Sequence, residues 1–287
     1  MLPTSAPLAQ SRLRDDCFVT FHDMLTRRWK SVDSVLCVGL DPDMARLPDV
    51  FQSATGGIAK FCVDIIDATA EFVCAFKPQI AYFSAVGAER QLELVCEHIR
   101  DAHPNIPIIL DAKRGDIGDT AKLYAREAFE RYGAHAVTVN PYLGTDSLEP
   151  FFDHSGKGVF VLCRTSNTGS GEFQSQNIDG MPLYQHVART AAVSWAPRGD
   201  VGLVVGATYP QELAQVRAIV GDMPLLVPGV GAQGGSPADV MNNAATNDGY
   251  GVVVNSSRAI LFADTNDHVN GARNAAQKTR DQLRAKN

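Results

Sequence analysis

Asp111, Lys113 and Asp116 lie in the stretch Ile108-Ile109-Leu110-Asp111-Ala112-Lys113-Arg114-Gly115-Asp116-Ile117-Gly118-Asp119-Thr120, where an apolar run meets charges of alternating sign. Asp111 and Lys113 are two positions apart, so on extended backbone their side chains leave on the same side. Asp116 can return toward Lys113 once the chain turns. An acid-lysine-acid group of this kind holds the lysine protonated, orients it and keeps it dry enough to deliver a proton to a carbon centre. The same spacing also fits a solvated loop with a surface ion pair, so the elements around it have to decide.

Those elements begin with the run itself. Ile108, Ile109 and Leu110 are short, apolar and preceded by Pro107, which reads as a buried parallel strand, and Gly115 and Gly118 mark the loop that follows. The charges therefore sit at a strand's C-terminal end, where α/β proteins gather ligands. Along the chain the same pattern recurs. Strands are expected at 35–41, 75–80, 108–113, 136–141, 158–164, 201–206, 225–231 and 250–258, with helices at 57–74, 84–102, 119–132, 181–196, 209–220 and 264–285. Residues 8–31 carry apolar side chains at helical spacing and predict an N-terminal helix over one barrel end. Eight buried strands alternating with helices, without a repeat, predict one (β/α)8 barrel over residues 1–287, with 1–34 as a helical extension. An open doubly wound sheet is the fallback, but no Gly-x-Gly-x-x-Gly follows the first strand. The polar, glycine-rich segment 165–180 is expected to be a lid or ligand clamp.

Composition narrows the classes. The chain has 287 residues, 45% hydrophobic and 20% charged, the balance of a globular enzyme. A net charge of −6 argues against a nucleic-acid surface while leaving room for one cationic pocket. The six cysteines form no Cys-x-x-Cys pair and fall mostly in apolar runs, as reduced core thiols do. No zinc spacing, signal segment or membrane-length apolar run is visible, so the expected compartment is the cytoplasm.

A second constellation stands at the last two strands. Gly229-Val230-Gly231-Ala232-Gln233-Gly234-Gly235 and Ser256-Ser257-Arg258 follow strands seven and eight, the usual phosphate cradle of this fold. Arg258 is the bidentate cationic partner expected there, which points to a phosphorylated small molecule as substrate.

Taken together, Asp41, Lys77, Asp111, Lys113, Ser166, Gln233 and Arg258 at the strand ends resemble the orotidine 5'-monophosphate decarboxylase family. The most specific elements are Asp111-x-Lys113-x-x-Asp116-Ile117-x-x-Thr120 and Pro228-Gly229-Val230-Gly231-Ala232-Gln233-Gly234-Gly235. The resemblance implies decarboxylation of orotidine 5'-monophosphate to UMP in de novo pyrimidine synthesis, with no cofactor and no metal. It implies Lys113 as proton donor to C6, with Asp111, Asp116 and Lys77 in its charged network. Asp41 and Lys77 then hold ribose hydroxyls, Ser166 the pyrimidine amide edge, and Gln233 and Arg258 the phosphate. It further implies a homodimer in which Asp116 and Thr120 reach into the neighbouring subunit's site.

Arg114-Gly115 stands where the family often has a larger apolar pair, and the N-terminal helix and the 165–180 segment are longer than in compact members, which suits a divergent bacterial branch. No residue of 167–180 is given a catalytic role. Two alternatives differ in class. A magnesium-dependent 3-keto-gulonate-6-phosphate decarboxylase or hexulose-phosphate synthase needs an acidic metal ligand where strand two carries Lys77. A catalytically silent nucleotide-binding barrel has no use for the complete set of charged residues.

Overall fold

The structure is a computed structural model that describes residues 19–230 and 234–284. Its eight-stranded sheet consists of β1 Leu36–Leu40, β2 Ala75–Pro78, β3 Ile109–Arg114, β4 Ala136–Val139, β5 Gly158–Arg164, β6 Asp200–Val205, β7 Leu225–Pro228 and β8 Val252–Ser256. Every neighbouring pair along β2-β1-β8-β7-β6-β5-β4-β3 runs parallel. Two isolated bridges, Phe76 with Ile108 and Gln79 with Asp111, join β3 back to β2. The result is a (β/α)8 barrel, the fold expected from the alternation of apolar runs.

The strands are apolar because both faces are covered. β1, β2, β4 and β8 are buried at every position, by the barrel interior on one side and helices on the other. The outer layer is built mainly from α2 Gly57–Thr69, α3 Glu89–Ala102, α4 Gly118–Arg126, α5 Leu183–Thr190, α6 Pro210–Val220, α7 Pro237–Ala244 and α8 His268–Arg284. α3 shows how they dock: Leu92, Val95, Cys96 and Ile99 recur at helical spacing and are all fully buried.

The expected N-terminal helix is present from Phe21 to Val32 as α1, and the earlier part of the expectation, with Cys17, lies outside the described residues. Thr20 and Asp23 form a reciprocal capping box at its start. Phe21, Leu25 and Trp29, four apart, are buried. Phe21 fills the lower end of the barrel: its ring meets Phe160 edge-on at 5.7 Å, and a side chain on Gly158 would lie 2.3 Å from it.

Several boundaries differ from the sequence reading. The helix expected over 57–74 ends at Thr69 and tightens into one turn, Ala70–Phe72. The helix expected over 84–102 is two pieces, Ile80–Ser84 and α3, because Gly87 takes a positive φ of 64° between them. The 119–132 and 181–196 helices each widen in their last turns, at Glu127–Arg131 and Ala191–Trp195. α7 has no counterpart in the reading; its start is marked by Ser236, whose hydroxyl accepts the Asp239 N–H, and by Pro237 in the first turn. The 165–180 segment is not structureless: it holds turns at Thr168–Ser170 and Gly171–Gln174, and Asn177–Ile178 pairs with Met181–Pro182.

Since Phe21 is 2% exposed, Phe21→Ala opens a cavity at the end of the barrel remote from the strand C-termini. The expected loss of stability is about 3–4 kcal/mol, measured by urea denaturation, with catalytic parameters of the folded fraction unchanged. A loss below about 1 kcal/mol would show that α1 does not close the core.

Candidate active site

Asp111 is the hub of the site. Its Oδ2 accepts from Lys77 Nζ at 2.7 Å, its Oδ1 from Lys113 Nζ at 2.6 Å and from the Thr138 hydroxyl at 3.0 Å. Lys77 comes from β2, Asp111 and Lys113 from β3 and Thr138 from β4, so three adjacent strand ends deliver the cluster. Lys77 and Asp111 are buried, whereas the Lys113 side chain is 46% exposed and faces the open end.

The route by which Lys113 arrives differs from the expectation of plain extended backbone. Lys113 has φ = 46°, in the left-handed region, and the β3–β4 register shifts between Leu110 and Arg114. Thr138 compensates. Its hydroxyl oxygen accepts the backbone N–H groups of both Ala112 (3.0 Å) and Lys113 (2.9 Å), which the bulge takes out of the ladder. Sequence reasoning missed Thr138, because a threonine inside a β-branched run looks like ordinary strand filling.

The electrostatics follow from burial and neighbours. Burial alone disfavours the charged form of Lys77, but Asp111 and Asp41 outweigh it and hold the ammonium's pKa above the ordinary lysine value. Burial likewise opposes ionisation of Asp111, and Lys77 and Lys113 overcome it, so its pKa lies well below the carboxylate range. The two groups are a charged, mutually dependent pair.

Beside this cluster a cavity of about 170 Å³ is lined by Asp41, Lys77, Asp111 and residues 228–230 and 255–259. Asp41 directly follows β1. Its Oδ1 and the Oδ1 of Asn255 are buried without a hydrogen-bond partner, two acceptors suited to donors on a ligand. The Asn255 Nδ2 donates to Ser257 Oγ at 3.2 Å. Gly39 makes room for this pair, since a side chain there would lie 2.0 Å from Ser257 Oγ. Ser257 belongs to the Ser256-Ser257-Arg258 motif read from the sequence, whereas Asn255 has no assigned role there.

Arg258 is exposed at the cavity rim, at the start of the turn Arg258–Leu261, and makes no ion pair among the described residues. Val230 and Gly235 form a bridge after β7, and Gln233, between them in sequence, lies outside the described residues. Ser166 stands two residues past β5, half-buried, and Gly206 at the end of β6 lets it approach: a side chain there would meet Ser166 Cβ at 2.8 Å. Asp116 and Thr120 do not join the cluster within this chain. The Asp116 carboxylate accepts the Ile117 N–H at 2.8 Å, and Thr120 is exposed on α4.

The segment after β5 is anchored by Arg164, a buried guanidinium that the sequence reading places at a strand end without a role. It donates to Glu212 of α6 at 2.5 Å, to Ser170 Oγ at 2.5 Å and to Gln174 Oε1 at 3.3 Å. Gln174 also accepts the Thr165 N–H at 2.8 Å, so 165–174 is tied back over the barrel end.

Comparison with known proteins decides the family. The profile of the orotidine 5'-phosphate decarboxylase / HUMPS family matches residues 34–274. The chain belongs to this family. It is 55% identical over 266 residues to an orotidine 5'-phosphate decarboxylase of Janthinobacterium sp. (strain Marseille), covering 92% of this chain and 98% of the relative. It is 56% identical to an orotidine 5'-phosphate decarboxylase of Cupriavidus metallidurans over the same shares. Among solved structures, the Leishmania donovani OMP decarboxylase superposes with a TM-score of 0.80 at 39% identity, covering 92% of this chain and 97% of that one. The Leishmania donovani UMP synthase superposes with a TM-score of 0.82 at 41% identity; the match takes 92% of this chain and 56% of that longer one.

The lowered pKa of Asp111 means that its pairing contributes stability above the unfolded carboxylate value of about 3.9, lost as pH falls through the folded value. The raised pKa of Lys77 gives stability present below about 10.4 and lost only above that. The pair is therefore silent from about pH 5 to 9. We expect Asp111→Asn to flatten the acid limb of the urea midpoint against pH. An acid limb of unchanged slope would mean that other carboxylates carry it.

Proposed function

We propose that this chain decarboxylates orotidine 5'-monophosphate to UMP, with Lys113 delivering the proton and no cofactor taking part. The observation that carries the reading is the buried Asp111 carboxylate held between the ammonium groups of Lys77 and Lys113 at the mouth of a barrel. The curated relatives named above support the substrate.

The chemistry suits the row. Loss of CO2 breaks the bond between C6 and the carboxylate carbon and leaves its electron pair on C6, an in-plane carbanion without resonance relief. A cation set at that carbon stabilises the developing charge, and a proton from the Lys113 Nζ completes the C6–H bond. Water afterwards reprotonates the amine. Asp111, beside the position of the leaving carboxylate, repels it in the ground state while keeping Lys113 charged and aimed.

The remaining contacts divide the substrate among the strand ends. Asp41, with its unpartnered buried oxygen, accepts from a ribose hydroxyl, and Lys77 donates to another. Ser166 reads the pyrimidine amide edge, and Arg258 and Gln233 hold the phosphate. Phosphate binding remote from the reacting carbon can be spent on drawing the 165–180 segment over the site. Residues 1–287 then act as one catalytic barrel domain in the cytoplasm. Buried free thiols at Cys37, Cys62, Cys74, Cys96 and Cys163 suit a reducing compartment. No helix among the described residues is long and apolar enough to cross a membrane.

We further propose a homodimer with shared sites. Asp116 bonds the Ile117 N–H and not its own Lys113, Thr120 is exposed, and the loops after the adjacent strands β3 and β4 expose Ile117 (59%) and Tyr142 (81%). Apolar side chains exposed to this degree on neighbouring loops suit a partner surface. The magnesium-dependent reading is opposed by Lys77, since a buried ammonium occupies the place where a metal site needs a carboxylate.

Lys113→Ala, assayed in excess EDTA beside wild type, is expected to lower kcat at least ~10²-fold while the protein folds and binds UMP. The wild type is expected to keep its rate under EDTA. A variant with near-normal kcat would remove Lys113 from the mechanism, and EDTA inactivation reversed by Mg²⁺ would favour the metal-dependent reading.

For the shared site, Lys113→Ala and Asp116→Ala should each be inactive alone yet complement when mixed. In a mixed two-fold dimer one site collects both lesions, while the other takes Lys113 from one chain and Asp116 from the other. With random exchange half the dimers are mixed, each with one good site, so activity should return to roughly a quarter of wild type. Differently tagged chains report the exchange. Complete exchange without recovery would place Asp116 in its own barrel.

A further inference from the structure

At the opposite end of the barrel two helix ends bring a second set of chemically able side chains together. Asp67 lies in the last turn of α2, His98 in the last turns of α3, and His103 is the residue that caps α3, its backbone N–H bonded to the Ile99 carbonyl at 2.9 Å. The Nε2 atoms of His98 and His103 lie 2.7 and 2.8 Å from the same Asp67 Oδ1. The two imidazole rings stand nearly perpendicular, at 74° with centroids 5.9 Å apart, so they converge on that oxygen from different directions.

We propose that Asp67, His98 and His103 form a binding site for a divalent transition metal of the zinc type, which ties the C-terminus of α2 to that of α3. The donor set selects the ion. Two imidazole nitrogens and one carboxylate oxygen suit Zn²⁺, Ni²⁺ or Cu²⁺, whereas Mg²⁺ and Ca²⁺ call for oxygen ligands. The reach also suits it. The three donor atoms lie within 4.8 Å of one another, and tetrahedral ligands at about 2.0–2.1 Å from a zinc ion stand roughly 3.3 Å apart. Opening each N···O contact by about half an ångström, a small side-chain rotation, makes space for the ion. The rings are about a quarter exposed and Asp67 about half, so water can fill the remaining coordination position.

The helix C-termini favour a cation here through the negative end of their dipoles. On metal binding each imidazole gives its Nε2–H proton to solvent or carries it at Nδ1, and the nitrogen lone pair turns to the ion. Because helices run back along the barrel, these C-termini stand at the N-terminal ends of the strands, the end of this fold that serves stability and not chemistry.

The test is calorimetric titration of the untagged full chain with ZnCl2 in a non-chelating buffer, together with thermal unfolding. The expected result is one Zn²⁺ per chain, with Tm raised by about 5 °C when free metal is 100-fold above Kd. Affinity should fall at least ~10-fold in His98→Ala and be lost in His98→Ala/His103→Ala, with kcat and KM of decarboxylation unchanged in both. The single variant keeps the test readable should the double variant unfold. Absence of binding by the wild type at millimolar Zn²⁺, or binding of unchanged strength in the variants, overturns the proposal.

Discussion

The structure depends on keeping one carboxylate ionised in a place where burial opposes its charge. Asp111 is 7% exposed, and taking its negative charge from water is tolerable only because Lys77, Lys113 and the Thr138 hydroxyl surround it. Removing Lys77 leaves a buried charge short of a partner, a loss of about 3–5 kcal/mol for pairs of this kind, whereas removing the half-exposed Lys113 costs less because water screens that pair. The cost runs both ways, since Lys77 keeps its proton in the interior only because Asp111 and Asp41 are beside it. The Lys77–Asp111 pair is thus held charged by its own geometry, and its field at the barrel mouth is preorganised.

That demand explains the backbone of β3. A lysine at φ = 46° is strained by about 1–3 kcal/mol, and the register slip beside it leaves two N–H groups without a strand partner. The strain persists because Thr138 accepts both N–H groups and in the same stroke donates to Asp111. One hydroxyl thus sets the bulge, the carboxylate and the aim of Lys113. Similar local concessions open the rest of the mouth: Gly39 and Gly206 lack side chains where Ser257 and Ser166 come close. The Arg164 guanidinium, bonded to Glu212, Ser170 and Gln174, holds the base of the 165–180 segment so that only its outer part is free to adjust.

The barrel was legible because its signal is redundant. Strands buried on both faces read as unbroken apolar runs, and eight of them separated by helical periodicity leave few alternative layouts. Termini of helices were less legible, since the last turns at Glu127–Arg131 and Ala191–Trp195 widen under tertiary packing that no local pattern announces. α7 is hard to read although Ser236 and Pro237 announce its start, because the eight-residue helix follows a glycine-rich stretch, contains Asn242-Asn243 and has little periodic content. In the site, Asp111, Lys113, Lys77 and Asp41 stand out as charges at the ends of apolar strands. Thr138 and Arg164 do not, because their roles exist only across strands and loops distant in sequence.

The contrast between Lys77 and the Asp67–His98–His103 cluster bears on why one barrel can carry cation chemistry at both ends without interference. At the strand C-termini the positive charges belong to the chain itself: Lys77 is locked by salt bridge and burial, so a metal entering there would have to displace a protonated amine from a carboxylate 2.7 Å away. At the strand N-termini the chain offers two imidazoles and one carboxylate, lone pairs without a fixed cation. A metal ion therefore meets repulsion at the catalytic mouth and ligands at the base. The two ends are separated by a core of fully buried strand residues, Val38, Phe76, Leu110 and Val137 among them, which transmits packing but excludes ions. A fixed Lys77 ammonium at one end and an open imidazole–carboxylate cluster at the other can share a fold because each is confined to its own end.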